Sequence, residues 1–334
     1  MESLKKKLYI IAEVGSVHDG SFGNACKLIE LAADSGANAV KFQTHFGDAE
    51  SLKNAKRPSY FKSEDRISYF NRTQFNIEQY QRFIILSKKK KIDFLSSPFS
   101  IEAVDFLERL NLSSYKIPSG EVTNHPLLER IANTRKKVFL STGMSNSKEI
   151  DNAVKILRAK TKLILMQCTS MYPCSLEKVG INVIREMKKK YNLPIGFSDH
   201  TTSFVAGIGA VFAGALVIEK HITFSKSMYG SDAFNALEPK EFKNFCEYLR
   251  DAFIIKNSRV NKDNISWLKK TKKVFEKSIV TSKIILKNSK IKLSDLSFKK
   301  PGDGISASQY KKIVGKKILK NLKKNHKLKT TDFI

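Results

Sequence analysis

Two histidines close two consecutive apolar runs: His200 ends residues 195–200 and His221 ends residues 216–221. Imidazoles at neighbouring strand ends, beside Asp199 and Glu219, suit a divalent ion with open coordination positions. The other reading is a pair of hydrogen-bonded structural histidines. His18, His45 and His125 fall in loops after earlier runs, from which they can enter the site, but as single loop residues they read as structural or exposed, and His326 lies in a lysine-rich tail. Lys41 and Lys116 each sit inside an apolar run, where an unpaired ammonium is costly. With Ser119 and Ser141 they can cradle a phosphate. Either can instead form a Schiff base or snorkel on an outer face, and spacing alone leaves all three open. Glu13, Glu121 and Glu219 stand at or just beyond run ends. Each can serve as acid, base or substrate anchor, or bridge ionically to the two lysines.

Such residues need a scaffold that gathers run ends in one place. Eight short apolar runs occur, at 9–13, 39–43, 93–97, 115–119, 138–142, 163–169, 195–200 and 216–221. Helical periodicity separates most of them, as at 25–35, 101–110 and 148–157. Strand–helix alternation predicts an α/β fold with a parallel sheet, and eight units in about 250 residues match a closed (β/α)8 TIM barrel. A doubly wound open sheet is the alternative, but no G-x-G-x-x-G follows the first run. Barrel active sites lie at the C-terminal ends of the strands, where the polar residues above stand. After Arg250 the pattern turns polar and weakly helical through residue 277. The barrel is therefore assigned to 1–255, a linker to 256–277 and a compact cap to 278–334. The cap is predicted to hold strands at 278–282 and 283–286, a helical turn at 293–296 and a helix at 308–314.

Composition narrows the function classes. The 334 residues carry a formal net charge of +28, and 41% are hydrophobic. A core of that apolar content excludes wholesale disorder. The lysine excess sits in loops and at helix ends without interleaved aromatics, so it reads as a solvated surface rather than a nucleic-acid interface. It can still draw in anionic substrates. Cys26, Cys168, Cys174 and Cys246 contain no C-x-x-C pair, and they read as reduced cytoplasmic thiols. The apolar run at 204–218 is too short to span a bilayer, which takes roughly 18 residues or more.

At these same residues the chain resembles the sialic acid synthase family, whose members make nine-carbon nonulosonic acids. The matching stretches are IAEVG at 11–15, HDG at 18–20, GANAVKFQ at 36–43, YKIPSGE at 115–121, LSTGM at 140–144, QCTSMYP at 167–173, GFSDHT at 196–201 and IEKHIT at 218–223. In the tail, KKPGDGI at 299–305 resembles the antifreeze-like (SAF, β-clip) cap domain. The resemblance implies condensation of phosphoenolpyruvate, an N-acylated amino sugar in open-chain form and water, with release of phosphate. It places a divalent metal, Mn²⁺ first and Mg²⁺ or Co²⁺ next, on His200 and His221. Phosphoenolpyruvate falls to Lys41, Lys116, Ser119, Ser141 and Ser198. Glu13, Gln43, Tyr172 and Asp232 would contact the sugar or position water, and Glu121 is a further candidate. A domain-swapped homodimer is implied, each cap covering the partner's barrel mouth. Two positions depart from the family pattern: Val17 replaces an asparagine, and Lys300 replaces a cap arginine that reaches the N-acyl group. Lysine lacks the planar fork, so the sugar is open between N-acetylmannosamine and a 2,4-diacetamido-trideoxyhexose. Rival readings are a barrel enzyme condensing phosphoenolpyruvate with a sugar phosphate, and a basic non-enzymatic nucleic-acid binder.

Overall fold

Parallel strands buried on both faces read as nearly unbroken apolar runs, and the eight runs become eight strands. The computed structural model describes residues 7–56, 64–230 and 232–334. The strands are β1 (Tyr9–Gly15), β2 (Ala39–Thr44), β3 (Asp93–Pro98), β4 (Ser114–Ile117), β5 (Lys137–Ser141), β6 (Lys162–Cys168), β7 (Ile195–Asp199) and β8 (Val217–His221). They pair in sequence order, and β8 closes on β1, giving a closed parallel barrel. The helices that follow them are α1 (Phe22–Asp34), α2 (Ile77–Lys89), α3 (Ile101–Glu108), α4 (His125–Asn133), α5 (Ser147–Arg158), α6 (Ile181–Tyr191), α7 (Val205–Ala213) and α8 (Pro239–Asn257). Local chemistry starts several of them. Asn76 with Gln79, and Asn146 with Glu149, close capping boxes at α2 and α5, and Pro239 opens α8 where its missing N–H costs nothing.

Alternation along each strand divides the core in two. One set packs within the barrel and includes Ile11, Ala39, Leu95, Phe139, Ile164, Met166 and Val217. The larger set, among it Ile10, Val40, Phe42 and Leu140, packs strands against helices. Two residues further along the inward set stand Glu13, Lys41, Ser97, Ser141 and Glu219. The inner column therefore changes from apolar to charged at the C-terminal end.

The polar stretch after Arg250 is corrected in its first part. α8 continues through Asn257, so residues 251–257 form its last turns, with Ala252 buried. The chain divides into compact units at Met1–Ser258 and Arg259–Ile334. Much of the expected linker belongs to the second unit: helix α9 (Lys269–Phe275) lies there, Gly302 N–H donates to Lys273 O, and Ala307 N–H donates to Lys277 O. That unit has its own core of Ile279, Ile285, Ile291, Leu296, Ile313, Ile318, Leu322 and Leu328. Its two-stranded antiparallel sheet joins β9 (Ser278–Thr281) to β10 (Leu296–Lys299). The strand expected at 283–286 reduces to one bridge, Ile285 to Leu322, since Ile284 and Leu286 are exposed. Among the described residues no helix is long and apolar enough to cross a membrane.

In the turn after β1, His18 is buried and stacks on Phe75 at 4.6 Å and Phe42 at 5.7 Å. Its Nδ1 accepts the Gly20 N–H at 3.1 Å, which requires a lone pair there. Burial lowers its pKa from 6.5 to about 4, against a smaller opposing pull from Asp232. The folded value lies below the unfolded one, so this contribution is fully present above pH 6.5 and is lost as pH falls through 4. The shift is worth about 3 kcal/mol. Denaturant titrations from pH 7 to pH 4 should show this loss, and His18→Gln should flatten the slope.

Candidate active site

The strand ends open into a cavity of about 550 Å³, within the range that holds small substrates. Of the sequence-predicted site residues, all but Lys300 and Asp199 line it: Glu13, Lys41, Gln43, Lys116, Ser119, Glu121, Ser141, Tyr172, Ser198, His200, Glu219, His221 and Asp232. Lys300 lies in the second unit, in the loop after β10, with its ammonium 4.9 Å from the centre of the Phe275 ring.

A charge network forms the floor. Lys41 Nζ lies 2.7 Å from Glu13 Oε2 and 3.9 Å from Glu219 Oε1, and it donates to Ser97 Oγ at 3.0 Å. Lys116 Nζ donates to Glu219 Oε1 at 2.7 Å, and Ser198 Oγ donates to the same oxygen at 2.9 Å. The two lysine side chains are only 4% and 3% exposed, which rules out snorkelling on an outer face. Burial alone would lower the Lys41 pKa, but the carboxylates of Glu13 and Glu219 outweigh it and raise the pKa. An ammonium held this way is no Schiff-base nucleophile. It is a cation already paired with carboxylates, so the ionic bridges expected as an alternative are present. Burial opposes the charge on Glu219, yet Lys116 and Lys41 hold its carboxyl below the usual range.

Hydroxyls and amides line the cavity beside this network. Ser119 Oγ accepts the Gly143 N–H at 2.9 Å, while Ser141 Oγ is buried without a hydrogen-bond partner. Gly143 has no room for a side chain: a Cβ there would meet Ser170 Oγ at 2.5 Å, and Cys168 Sγ and Ser119 Oγ at 2.9 Å. On the other wall, Asp232 accepts from Ser16 N at 2.9 Å and Ser16 Oγ at 3.0 Å. Glu121 is partly buried, which raises its pKa, and Asn124 Nδ2 donates to it at 2.8 Å.

The two histidines converge, with ring centroids 5.7 Å apart and Tyr172 at 4.1 Å over His200. His200 Nδ1 lies 2.9 Å from Thr169 O. Donation to that carbonyl leaves Nε2 with its lone pair. His221 Nδ1 is buried without a partner. Burial lowers both pKa values, so both rings are neutral near pH 7 and able to act as ligands. Among the described residues no group of three or more His, Cys, Asp or Glu forms a ready-made metal shell, so any ion here would keep open positions. Asp199 is not part of this set. It turns away from the cavity and pairs with Lys220 at 3.0 Å, because alternate strand residues face opposite sides.

Sequence reasoning missed several lining residues. His45, read as structural or exposed, is held between the rings of Phe70 at 3.8 Å and Phe99 at 4.0 Å. It links Glu50 to Gln43 Oε1, at 2.9 Å and 3.0 Å, and Gln43 Nε2 donates to Glu13 Oε1 at 2.7 Å. This chain fixes which way the Gln43 amide points. Arg66, Phe70, Met144 and Cys168 also line the cavity. Arg66 and Phe70 come from helix Arg66–Thr73, an insertion between β2 and α2 that belongs to no strand–helix period. Cys168 ends β6 and was visible there, but it was read only for its redox chemistry.

The family model described as NeuB family matches residues 28–261. The chain is 38% identical to the N,N'-diacetyllegionaminic acid synthase of Campylobacter jejuni, over 96% of this chain and 98% of that protein. It is 32% identical to a pseudaminic acid synthase of the same species, over 98% and 97%. The crystal structure of the N-acetylneuraminic acid synthetase of Leptospira borgpetersenii superposes with a TM-score of 0.71 at 29% identity, covering 79% of this chain and 90% of that one.

Removing one partner of a buried ion pair leaves an uncompensated charge, which costs about 3–5 kcal/mol. Glu219→Gln should lower unfolding stability by that order in chemical denaturation. Ser198→Ala, which removes only a hydroxyl from the same oxygen, should cost about 1 kcal/mol.

Proposed function

The chain belongs to the NeuB family, and on that premise we propose that its barrel mouth condenses phosphoenolpyruvate with an N-acylated amino sugar and water, yielding a nonulosonic acid and phosphate. The observation that carries this reading is the pairing of a lysine and serine cradle with two neutral histidines in one cavity. Lys41, Lys116, Ser119, Ser141 and Ser198 hold the phosphoenolpyruvate anion. Its vinyl carbon attacks the sugar aldehyde carbon, and the aldehyde oxygen takes up a proton. Glu121 is the carboxyl suited to hold that proton, because burial raises its pKa. Water adds at the cationic carbon and gives up a proton; the bond from that carbon to the phosphate oxygen then breaks with its electron pair on phosphate, and the hydroxyl left behind passes its proton to the departing phosphate as it becomes the ketone. Gln43, Tyr172, Asp232 and Glu13 orient the sugar and the water. The His200 and His221 nitrogens fit a divalent ion, Mn²⁺ first and Mg²⁺ or Co²⁺ next, which would supply Lewis-acid polarisation of the aldehyde.

For the acceptor we favour a 2,4-diacetamido-trideoxyhexose over N-acetylmannosamine or a phosphorylated sugar. The 38% identity to the legionaminic acid synthase supports it. So does the lining: Lys41, Lys116 and Arg66 face Glu13, Glu121, Glu219 and Asp232. Three cations against four carboxylates leave little to hold a second phosphate beside phosphoenolpyruvate. The second unit is read as an antifreeze-like (SAF) cap that covers a partner's barrel mouth in a domain-swapped dimer, with Lys300 taking the place of the family's arginine. Alignment with the Campylobacter jejuni synthase over nearly the whole of both chains supports including this unit. The cysteines are free thiols, which supports a reducing, cytoplasmic setting.

Phosphate release should be measured with Mn²⁺, phosphoenolpyruvate and a panel of amino sugars. The diacetamido sugar should give the highest kcat/KM and a 6-phosphorylated N-acetylmannosamine the lowest. Release that needs a phosphorylated sugar would overturn the acceptor assignment. His200→Ala and His221→Ala should each abolish turnover and weaken Mn²⁺ binding in calorimetry. Full activity in either variant would refute the metal assignment.

A further inference from the structure

Where β7 meets β8, three successive pairs alternate between the two faces of the sheet. Ser198 and Glu219 meet inside the barrel. The next register pair, Asp199 and Lys220, points outward. The residues that follow are His200 and His221, again facing the cavity. The outward pair is an ion pair with both side chains fully buried, Nζ to Oδ2 at 3.0 Å. It also grips the chain beyond His200. Lys220 Nζ donates to the Thr201 carbonyl and lies 3.4 Å from Thr201 Oγ1, while Asp199 Oδ1 accepts the Thr201 N–H at 2.8 Å. Lys220, the residue before His221, thus holds both residues that bracket His200. The ring of Phe245 on α8 covers the ammonium at 5.8 Å.

Stability does not account for this arrangement. A buried ion pair does no better than apolar side chains of the same volume, and often worse. What the pair supplies is a fixed relation between the two strand ends.

We infer that Asp199 and Lys220 are a positioning pair that sets the spacing and orientation of His200 and His221 from outside the barrel. Neither residue lines the cavity, so they act only through the histidines. The inference rests on the reading that the histidine pair serves the condensation.

The test compares the full chain with Asp199→Asn, Lys220→Met and the double variant. Melting temperature, kcat, KM for phosphoenolpyruvate and the Kd for Mn²⁺ by electron paramagnetic resonance without substrates are measured. Each single variant should melt lower, and the double variant should recover most of the loss. Its kcat should nevertheless fall about 10- to 100-fold and its Mn²⁺ Kd rise by a similar factor, as for other residues that orient metal ligands. Its KM for phosphoenolpyruvate should stay within about two-fold. A stable double variant with wild-type kcat and Mn²⁺ Kd overturns the inference. If these variants do not fold, Lys220→Arg and Asp199→Glu keep the charges but shift Thr201: lowered kcat at unchanged melting temperature supports the inference, and wild-type kcat overturns it. Failure of the functional reading shows separately, in the wild type. If the wild type takes up no Mn²⁺, the metal assignment falls and kcat decides. If it releases no phosphate, the activity assignment falls and Mn²⁺ Kd decides. If it does neither, the imidazole nitrogen resonances of His200 and His221 decide, shifted in the double variant if the pair positions them and unchanged if it does not.

Discussion

Two ammonium groups inside a closed barrel are the constraint on which the rest of the structure depends. Lys41 and Lys116 are buried among inward-facing strand residues, where a lone charge would not be tolerated. Glu13 and Glu219 answer them at 2.7 Å each, and the 3.9 Å approach of Lys41 to Glu219 joins the two pairs into one network. Strand register makes this possible. Glu13 lies level with Lys41 on β2 and with His221 on β8, and Ser198 lies level with Glu219. A slip of one residue in any of these strands would turn its charges into the helix layer and bring apolar side chains to the mouth. Fold and site are therefore specified by the same alternation.

The barrel was legible in the sequence for a plain reason. Strands buried on both faces cannot hide, and each ends where polar residues are admitted, so Glu13, Lys41, Lys116, Ser141, Ser198, His200, Glu219 and His221 could be named before any contact was known. What was illegible follows from equally definite causes. His45, Arg66 and Phe70 reach the cavity from the segment around the β2–α2 insertion, where no periodicity signals inward or outward. Asp199 was grouped with the mouth because it adjoins His200, although alternation sends it the other way. Spacing alone also left Lys41 divided between cradle, Schiff base and surface. The separation came from distances, because only they reveal two carboxylates holding its proton in place.

The second unit was harder to read, and the reason lies in its build. Its core consists of single aliphatic residues such as Ile285, Ile291 and Leu328, spaced along irregular chain. Its pairing is mostly by isolated bridges. With a β9–β10 ladder only four residue pairs long, a sequence pattern of alternating faces has no length over which to appear. The stretch Pro301-Gly-Asp-Gly304, by contrast, carries its turn signal in its residue types. A Cβ at Gly302 would come within 2.5 Å of Glu276 Cβ, so this is a place where chain packs directly on chain.

The balance of charge in the cavity has a kinetic meaning. The whole chain carries +28, yet the cavity lining contributes more carboxylates than cations. The positive excess thus lies outside the cavity lining. A field of that kind reaches about 10 Å into ordinary saline and speeds the arrival of any anion. On the proposed function, retention is decided separately, by the lysines and hydroxyls of the cavity. Encounter and selection are thereby assigned to different parts of the molecule, and added salt should slow the first while leaving the second nearly intact.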